Sequence, residues 1–332
     1  MEIAEITLEV LTPMFSYGER NNRKLLAEFR ITELKALMRN TFRELYDFKD
    51  LKDMKEKEAV LFGDDERKSP IRFKAKCVKA ESHEMQYMLP HKDRDRDRAK
   101  MSCLERCRKI SFFMMAEDSL SLEFYIKLLL QTAIIGSLGR RSRKGFGSFK
   151  ITDIKDTKNN RFDKFISLIK SNPIEILKNE QSSINKMRKV ENENVGELQS
   201  DISFVDLGND LNYPYAKKII LLKLSETQVY LDLLKNISRL THERLDYEED
   251  RINGNILGNC RYKGDKLKRY SSPIYVSFSE NGNNIYMVIK ELNYNYVLKK
   301  LNIIESDDKI ANKDYINNYV NQLIKIGKGE IK

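Results

Sequence analysis

Residues Gly136–Lys150 read GSLGRRSRKGFGSFK and form the most distinctive stretch of this 332-residue chain. The stretch contains no acidic residue, four glycines (Gly136, Gly139, Gly145, Gly147) and five cations (Arg140, Arg141, Arg143, Lys144, Lys150). Glycine permits positive φ and a close approach of the backbone to another molecule. Freed backbone N–H groups beside guanidinium groups bind phosphate oxygens. We therefore predict that residues 139–147 hold a nucleic-acid backbone. A solvated basic turn is the alternative.

Two nucleotide-binding loops are excluded by the order of residues in this stretch. The pattern GxxxxGK[ST] is absent, because Lys144 precedes Gly145. The pattern GxGxxG is not matched, and the apolar run Phe124–Ile135 predicts a helix before the loop where that motif requires a strand. Phe146 and Phe149 are expected to act as anchors or as stacking faces.

The composition favours a polyanionic partner. Lys and Arg number 60 and Asp and Glu 50, for a net charge of +10 and a pI of about 9.1. No apolar run has the length needed to span a bilayer, and the acidic, alternating start Met1–Glu5 does not resemble a signal peptide. We expect a cytoplasmic protein that binds nucleic acid and no membrane.

The cysteines and histidines predict neither a metal site nor a cofactor. The four cysteines suit a reducing compartment. Cys103 and Cys107 could share a helix face, but they lack a second Cys or His pair at zinc spacing. No histidine, cysteine and acid fall into a triad spacing, so no catalytic residue is assigned. His83 and His91 are the candidates for a general base in the first half of the chain.

Two further basic groups are candidates for RNA contact. The alternating segment Ile3–Leu11 predicts a half-buried strand, and the loop after it carries Arg20 and Arg23 at a natural binding position. A helix is predicted from Thr32, with Thr32 as its cap. Its stripe Lys35, Arg39 and Arg43, at positions i, i+4 and i+8, begins near the helix N-terminus, where anions are favoured. Ordinary solvated surface is the alternative for both groups.

The rest of the first half predicts an α+β fold. Asp47–Glu58 is interpreted as a charged surface connection, Ile71–Val78 as a strand with Arg72, Lys74 and Lys76 on one face, and Met85–Leu89 as its hairpin partner or part of an insertion. A strand at Arg108–Met115, a helix at Leu122–Ile135 and a strand to Ile154 follow. This order suits a ferredoxin-like sandwich, the topology of RNA-recognition (RRM) domains. The aromatic sheet motif of those domains is absent, so a different binding mode is expected.

The second half repeats this outline without repeating the sequence. Predicted strands at Asp201–Leu207 and Lys217–Leu224 precede a helix at Thr227–Leu245 and a second basic, glycine-bearing loop at Gly254–Arg269. A hairpin at Pro273–Leu292 is centred on Asn281-Gly282-Asn283, and a helix is predicted at Tyr315–Ile326. The predicted organisation is a first domain at 1–156, a polar helical connection at 157–200 and a second domain at 201–332.

Several of these segments together resemble a known family. They are Leu11-Thr12-Pro13-Met14-Phe15, the helix segment Phe29–Arg39, Leu61-Phe62-Gly63 and the loop Gly139–Ser148. The set resembles the RAMP superfamily of CRISPR–Cas proteins, which is named for such a glycine-rich loop. Arg269-Tyr270-Ser271-Ser272-Pro273 resembles the later Arg-x-x-Ser-Pro strand of the first-subunit family of the Cmr complex, the type III-B RNA-targeting effector.

The resemblance implies two tandem ferredoxin-like domains with insertions and no catalysis. It implies a subunit at the 3′ end of the guide RNA, beside other Cmr RAMP subunits and near target RNA, with cleavage left to the backbone subunits. The family's usual glycine and small residue in the first helix are Ala36 and Glu33 here. Two alternatives stay open: a RAMP-type endoribonuclease that processes guide RNA, and a DNA-binding protein, although no helix-turn-helix or zinc pattern is present.

Overall fold

The computed structural model describes residues 1–18, 26–76, 78–90, 100–156, 162–178, 190–191, 201–204, 215–225, 229–243, 262–263, 266–267, 272–293 and 309–331. In chain order its elements are β1 (Glu2–Val10), α1 (Ile31–Leu45), α2 (Leu51–Phe62), β2 (Arg72–Ala75), β3 (Met85–Gln86), β4 (Met101–Ser102), β5 (Lys109–Ala116), α3 (Ser119–Ile135), β6 (Phe149–Asp156), α4 (Asp163–Lys170), α5 (Pro173–Lys178), β7 (Val190–Glu191), β8 (Asp201–Phe204), β9 (Ala216–Lys223), α6 (Tyr230–Glu243), β10 (Tyr262–Lys263), β11 (Lys266–Leu267), β12 (Ile274–Asn281), β13 (Asn284–Leu292) and α7 (Lys309–Gly327).

The first sheet is antiparallel, with strand order β2-β5-β1-β6. The alternating apolar residues of β1 (Ala4, Ile6, Leu8, Val10) are fully buried. They pack with Leu34, Met38 and Phe42 of α1, which recur at helical spacing. The described helices α1 and α3 therefore cover one face of this sheet.

The second sheet has strand order β12-β13-β9-β8-β7, and its described pairings are antiparallel. Its two faces belong to different cores. Ile219, Leu221 and Val288 join the core that contains α1 and α3. Ile220, Leu222 and Ile289 face the other way and pack with Leu234 of α6 and Leu323 of α7. Successive strand residues point to opposite faces, so β9 is buried on both sides.

Helix α3 lies between the two sheets. Its sequence SLSLEFYIKLLLQTAII is apolar on nearly every side, and residues 124–135 are all buried. A helix of this kind is stable only when surrounded by protein. It contacts β1, β5 and β6 of the first sheet and β12 and β13 of the second. The layers therefore run first sheet, α1 and α3, second sheet, α6 and α7.

Most of the predicted elements are confirmed, with shifts of a few residues at their ends; three local predictions are wrong, and for Met85–Leu89 the hairpin with β2 is excluded while the insertion is retained. Much of Asp47–Glu58 belongs to helix α2, where Asp50 caps the N-terminus by accepting from Asp53 N at 2.8 Å. Helix α1 begins at Ile31, before Thr32, and its cap residue Arg30 makes no side-chain hydrogen bond. Strand β3 pairs with β4 and not with β2. Cys103 and Cys107 lie in the β4–β5 connection and not on a helix.

Among the described helices, none combines the length and the apolar character that crossing a lipid bilayer requires. Within the same ranges, His, Cys, Asp and Glu side chains form no cluster of three suited to a metal ion.

Candidate nucleic-acid interface

The glycine-rich loop lies in the seam between the two halves of the chain. On the first-half side, Arg140 N donates to Phe15 O at 3.0 Å and Gly147 N donates to Pro13 O at 3.0 Å. On the second-half side, Gly145 N donates to Val276 O at 2.9 Å and Val276 N donates to Arg143 O at 3.1 Å. These last two bonds form a parallel bridge between Lys144 and β12. The loop thus adds one rung to the edge of the second sheet.

Close packing explains why glycines are needed in this loop. Gly147 has φ +73°, and a Cβ placed there would lie 1.8 Å from the carbonyl oxygen of Leu138. Gly145 has φ +85°, and a Cβ there would lie 2.7 Å from the ring of Phe278. Only glycine adopts these conformations without strain and fits the space. The glycines bring the backbone close to the protein itself.

The N–H groups of the four glycines are therefore not among the free backbone donors that the phosphate prediction requires. The N–H groups of Gly136, Gly145 and Gly147 donate to carbonyl oxygens of Thr132, Val276 and Pro13. The N–H of Gly139 donates to Glu33 Oε1 at 2.7 Å. Each of the four glycine donors is used within the chain, so any anion contact at this loop must come from other groups.

Of the two roles expected for Phe146 and Phe149, the structure bears out the anchor and excludes the stacking face, because both rings are buried. Phe146 packs against Phe15, with ring centroids 5.5 Å apart, in the core of the second sheet and α6. Phe15 and Phe146 are thus covered by the second half of the same chain and are closed to a base.

Arg140 is the most accessible cation of the loop. Its side chain is exposed, and its guanidinium carbon lies 5.1 Å from the ring centroid of Tyr17. The Tyr17 hydroxyl donates to Ser102 O at 2.6 Å. Burial raises the pKa of Tyr17 to about 12, against the opposing effect of Arg140. The phenol therefore stays neutral, and the Arg140 charge is not cancelled by it.

Arg141 is held in the seam by neutral groups. Its Nη2 donates to Ser238 Oγ of α6 at 2.9 Å, and its guanidinium carbon lies 5.9 Å from the ring centroid of Phe146. Burial lowers the pKa of Arg141, with Tyr319 acting in the opposite direction. An arginine nevertheless keeps its charge near neutral pH. Its backbone has φ +59°, a conformation that is uncommon for a residue with a side chain.

Arg143 and Lys144 also contact neutral groups of the second half. Arg143 Nη1 donates to Ser272 O at 2.7 Å, and its guanidinium carbon lies 4.4 Å from the ring centroid of Tyr275. Lys144 Nζ donates to the Tyr319 hydroxyl at 3.2 Å and lies 5.5 Å from the centroid of that ring. Cation–π contacts of this type hold a charge without neutralising it.

The cations of the stripe on α1, unlike those of the loop, are paired with a carboxylate. Arg39 Nη2 and Arg43 Nη2 lie 2.6 and 2.7 Å from Oε1 of Glu58, whose side chain is 5% exposed. Burial alone would raise the pKa of Glu58, but Arg43 and Arg39 outweigh it and lower that pKa. Lys35 Nζ donates to Ser69 Oγ at 2.7 Å, and burial, with Arg39, lowers its pKa. Two of the three cations are therefore engaged by an internal carboxylate.

Some predicted residues lie outside the described ranges. These are Arg20 and Arg23, His91 and most of the second basic loop at Gly254–Arg269. His83 is described; its side chain is 73% exposed, and Nδ1 lies 3.7 Å from Glu81 Oε2.

Sequence reasoning did not identify the acidic and hydroxyl groups that fix this seam. The carboxylate of Glu280 in β12 accepts hydrogen bonds from Lys150 Nζ at 2.6 Å, from the Tyr230 hydroxyl at 2.7 Å and from Arg106 Nη2 at 3.1 Å. Ser238 and Tyr319 were unremarkable members of helical patterns. Nothing in the spacing of these residues along the chain marks them, because their partners lie far away in sequence.

The chain was compared with known proteins. Residues 7–150 match the family model described as the RAMP superfamily, which confirms that resemblance. No curated protein sequence matches the chain.

Two solved structures share the fold. Cmr1 from Pyrococcus furiosus, in its apo form, is 16% identical with a TM-score of 0.52, and the match covers 88% of each chain. A chain of a type III-B Cmr-beta complex, bound to cognate target RNA and AMPPnP in the presence of ssDNA, is 14% identical with a TM-score of 0.50. That match covers 91% of this chain and 100% of the other.

Proposed function

We propose that this chain, whose residues 7–150 match the RAMP superfamily model, is a non-catalytic RNA-binding subunit of a type III-B CRISPR (Cmr) effector complex. In that role it holds the 3′ region of the guide RNA, the target RNA, or both, beside other Cmr subunits. The similarity in fold to Cmr1 and to a chain of an RNA-bound Cmr-beta complex supports the proposal.

The observation that carries the proposal is uncompensated charge. The partners of Arg140, Arg141, Arg143 and Lys144 are aromatic rings, hydroxyl groups and a carbonyl oxygen. Among the described residues no carboxylate forms an ion pair with any of the four. The α1 stripe, in contrast, is paired with Glu58. Phosphate is the natural partner for a cluster of this kind, and such contacts position RNA without reading its sequence.

The fold supports a second part of the proposal, two tandem ferredoxin-like domains with insertions. Apart from two insertions, helix α2 and the small β3–β4 ladder, the first half runs β1-α1-β2-β5-α3-β6, and its sheet has the order expected of that motif. In the second sheet β12, β13 and β9 occupy the equivalent places. The neighbour of β9 is β8, which precedes it in the chain, so the second domain is a rearranged version of the motif.

The experiment is a salt-dependent RNA titration of the whole chain and of Arg140→Ala. Arg140 is the suitable position, because Arg141, Arg143 and Lys144 also hold the second half in place. Losing one phosphate contact should weaken binding of all sequences and reduce the slope of log K against log[salt] by about 0.7 for single strands. Arg67→Ala, at an exposed turn residue after α2, is the control with the same change in charge.

An unchanged slope for Arg140→Ala, with wild-type affinity, would refute this loop as the RNA contact. The non-catalytic part is tested on the same samples with guide-RNA precursor. Cleavage by the wild-type chain that is lost in His83→Ala would support the endoribonuclease alternative instead.

A further inference from the structure

The open face of the first sheet carries an aromatic ring among cations that form no ion pair with the described residues. Helices α1 and α3 pack on the opposite face, beneath Phe112 and Met114 of β5. Phe113 alternates with these residues and points away from the helices, and it is partly exposed. Phe113 belongs to neither described hydrophobic core, nor to the side chains packed against them.

Strand β2 places its cations beside this ring. Arg72 and Lys74 are exposed and lie opposite Met115 and Phe113 in the ladder. Lys76 follows the end of the strand and is exposed as well. Residues two apart on a strand are separated by roughly 6.6 Å, a spacing similar to that of successive phosphates in an extended single strand. We call Arg72, Lys74, Lys76, Lys109 and Phe113 the β2–β5 face.

The charges of this face are not neutralised locally. In the part of the chain that the structure describes, Arg72, Lys74, Lys76 and Lys109 form no ion pair with a carboxylate. The acids of the open face lie on the next strand, where Glu5 stands opposite Phe113 and Glu9 lies 3.4 Å from Lys150. Strand β1 therefore places an acidic row, in which Glu9 stands opposite Lys109, between the cations of β2 and β5 and the cations Lys150 and Lys155 of β6. The two β6 lysines pair with Glu280 and Asp153.

We propose that the β2–β5 face binds single-stranded RNA, with a base stacked on Phe113 and phosphates contacted by Arg72 and Lys74. A sheet aromatic flanked by cations is suited to this ligand, because every base has a π-face and the backbone follows the charges. The inference shares only the ligand class with the proposed function, since this face and the glycine-rich loop are separate surfaces.

The absence of tryptophan from the chain provides a direct test. Phe113→Trp introduces a single indole at the proposed stacking position. Short oligouridylate should quench its fluorescence saturably, over the concentration range in which the anisotropy of labelled RNA reports binding. A duplex RNA of the same length should quench it less. Leu120→Trp, at a residue 73% exposed at the start of α3, is the matched control and should not respond.

Affinity measurements supply the second arm. Phe113→Ala should weaken binding of single-stranded RNA by about tenfold, and Phe113→Leu, which keeps apolar bulk, should weaken it similarly if stacking is responsible. Arg72→Ala/Lys74→Ala should reduce the salt slope by about 1.4. The control is Lys52→Ala/Lys55→Ala on α2, which removes the same amount of charge away from the β2–β5 face. Thermal unfolding of each variant confirms that it is folded.

The outcomes separate this inference from the proposed function. If RNA binds while Phe113→Trp is silent and Arg72→Ala/Lys74→Ala matches its control, the β2–β5 face is refuted and the loop is unaffected. If oligoglutamate quenches the indole as strongly as RNA does, the face serves an acidic protein and the inference fails. If the wild-type chain binds no RNA, both proposals fail. Quenching that survives Arg140→Ala supports the face independently of the loop.

Discussion

The carboxylate of Glu33 accepts a hydrogen bond from the backbone N–H of Gly139, with 2.7 Å between Oε1 and N. Its other oxygen accepts from Ser16 Oγ at 2.5 Å. Glu33 lies in the first turn of α1, where the helix dipole favours an anion. The backbone donor of Gly139 in the glycine-rich loop is therefore occupied by an anion of the chain itself and is not available to a phosphate.

Replacing Glu33 should loosen this junction. Glu33→Ala leaves the N–H of Gly139 without its acceptor, and we expect it to lower the free energy of unfolding by about 1.5–3 kcal/mol, the range for hydrogen bonds to charged groups. Glu33→Gln keeps an oxygen acceptor, so its free energy of unfolding should fall by less. Urea denaturation of both variants measures the difference. Equal losses would mean that the bond to Gly139 contributes little.

Glu58 should control whether the α1 stripe can bind RNA. In Glu58→Gln the paired charges of Arg39 and Arg43 are released, so the affinity for RNA should rise and the salt slope should steepen by up to about 1.4. The chain should also become less stable, because two partly buried guanidinium groups lose a charged partner. Filter binding at several salt concentrations tests this. Wild-type binding by Glu58→Gln would show that the stripe is not positioned to reach RNA.

Two glycines with positive φ provide a matched pair for the packing argument. At Gly282, φ is +55° and a Cβ would meet nothing within 4 Å, so Gly282→Ala should cost only the backbone strain of about 1–2 kcal/mol. At Gly147 the Cβ would also collide with Leu138 O. We expect Gly147→Ala to cost more than about 3 kcal/mol. Thermal unfolding of the two variants distinguishes strain from collision, and similar melting temperatures would contradict the tight contact.

The cluster at Glu280 should make the seam sensitive to acid. Burial would raise the pKa of Glu280, but Lys150 and Tyr230, with Arg106, lower it below its ordinary value of 4.5. A lowered pKa contributes stability that is present above pH 4.5 and is lost as the pH falls through the folded-state pKa. Urea denaturation from about pH 6 to about pH 3 should reveal this loss. Glu280→Gln should flatten the dependence, whereas Glu66→Gln, an exposed control, should not.

A buried ion pair also joins the two halves. Lys290 Nζ lies 2.5 Å from Glu44 Oε2, and the two side chains are 3% and 9% exposed. Lys290→Met leaves the buried carboxylate of Glu44 without its charged partner, so we expect the free energy of unfolding to fall by about 3–5 kcal/mol. The double variant Glu44→Leu/Lys290→Met removes both charges and should recover most of the stability lost in Lys290→Met. Denaturation of both variants tests this, and a double variant as unstable as the single one would indicate that packing dominates.

Patterns that depend on neighbouring residues were predicted well. Strand β1 alternates, α3 is continuously apolar, and the β12–β13 hairpin has a glycine at its turn. Each of these local patterns is compatible with one type of secondary structure. Helix α2 was missed because its buried Met54 and Phe62 are separated by charged residues. Its signals were nevertheless present in Asp50, which caps the start, and in Gly63, which ends it with φ +78°.

The glycine-rich loop was located correctly by its composition, but its surroundings could not be inferred. A cluster of cations is recognisable in any sequence, whereas the packing of Gly145 against Phe278 depends on the docking of two sheets. For the same reason the stripe at Arg39 and Arg43 looked equivalent to the loop. Only the position of Glu58, set by how α2 folds back on α1, separates a neutralised group of cations from an uncompensated one.

The placement of α3 between the sheets has a practical consequence for work with fragments. A polypeptide that stops at Asp156 would retain α3 but would expose to water the side that β12 and β13 normally cover. Apolar surface of that kind promotes self-association. Expression of either half alone should therefore yield aggregates, whereas co-expression of the two pieces could restore a folded particle by mutual burial.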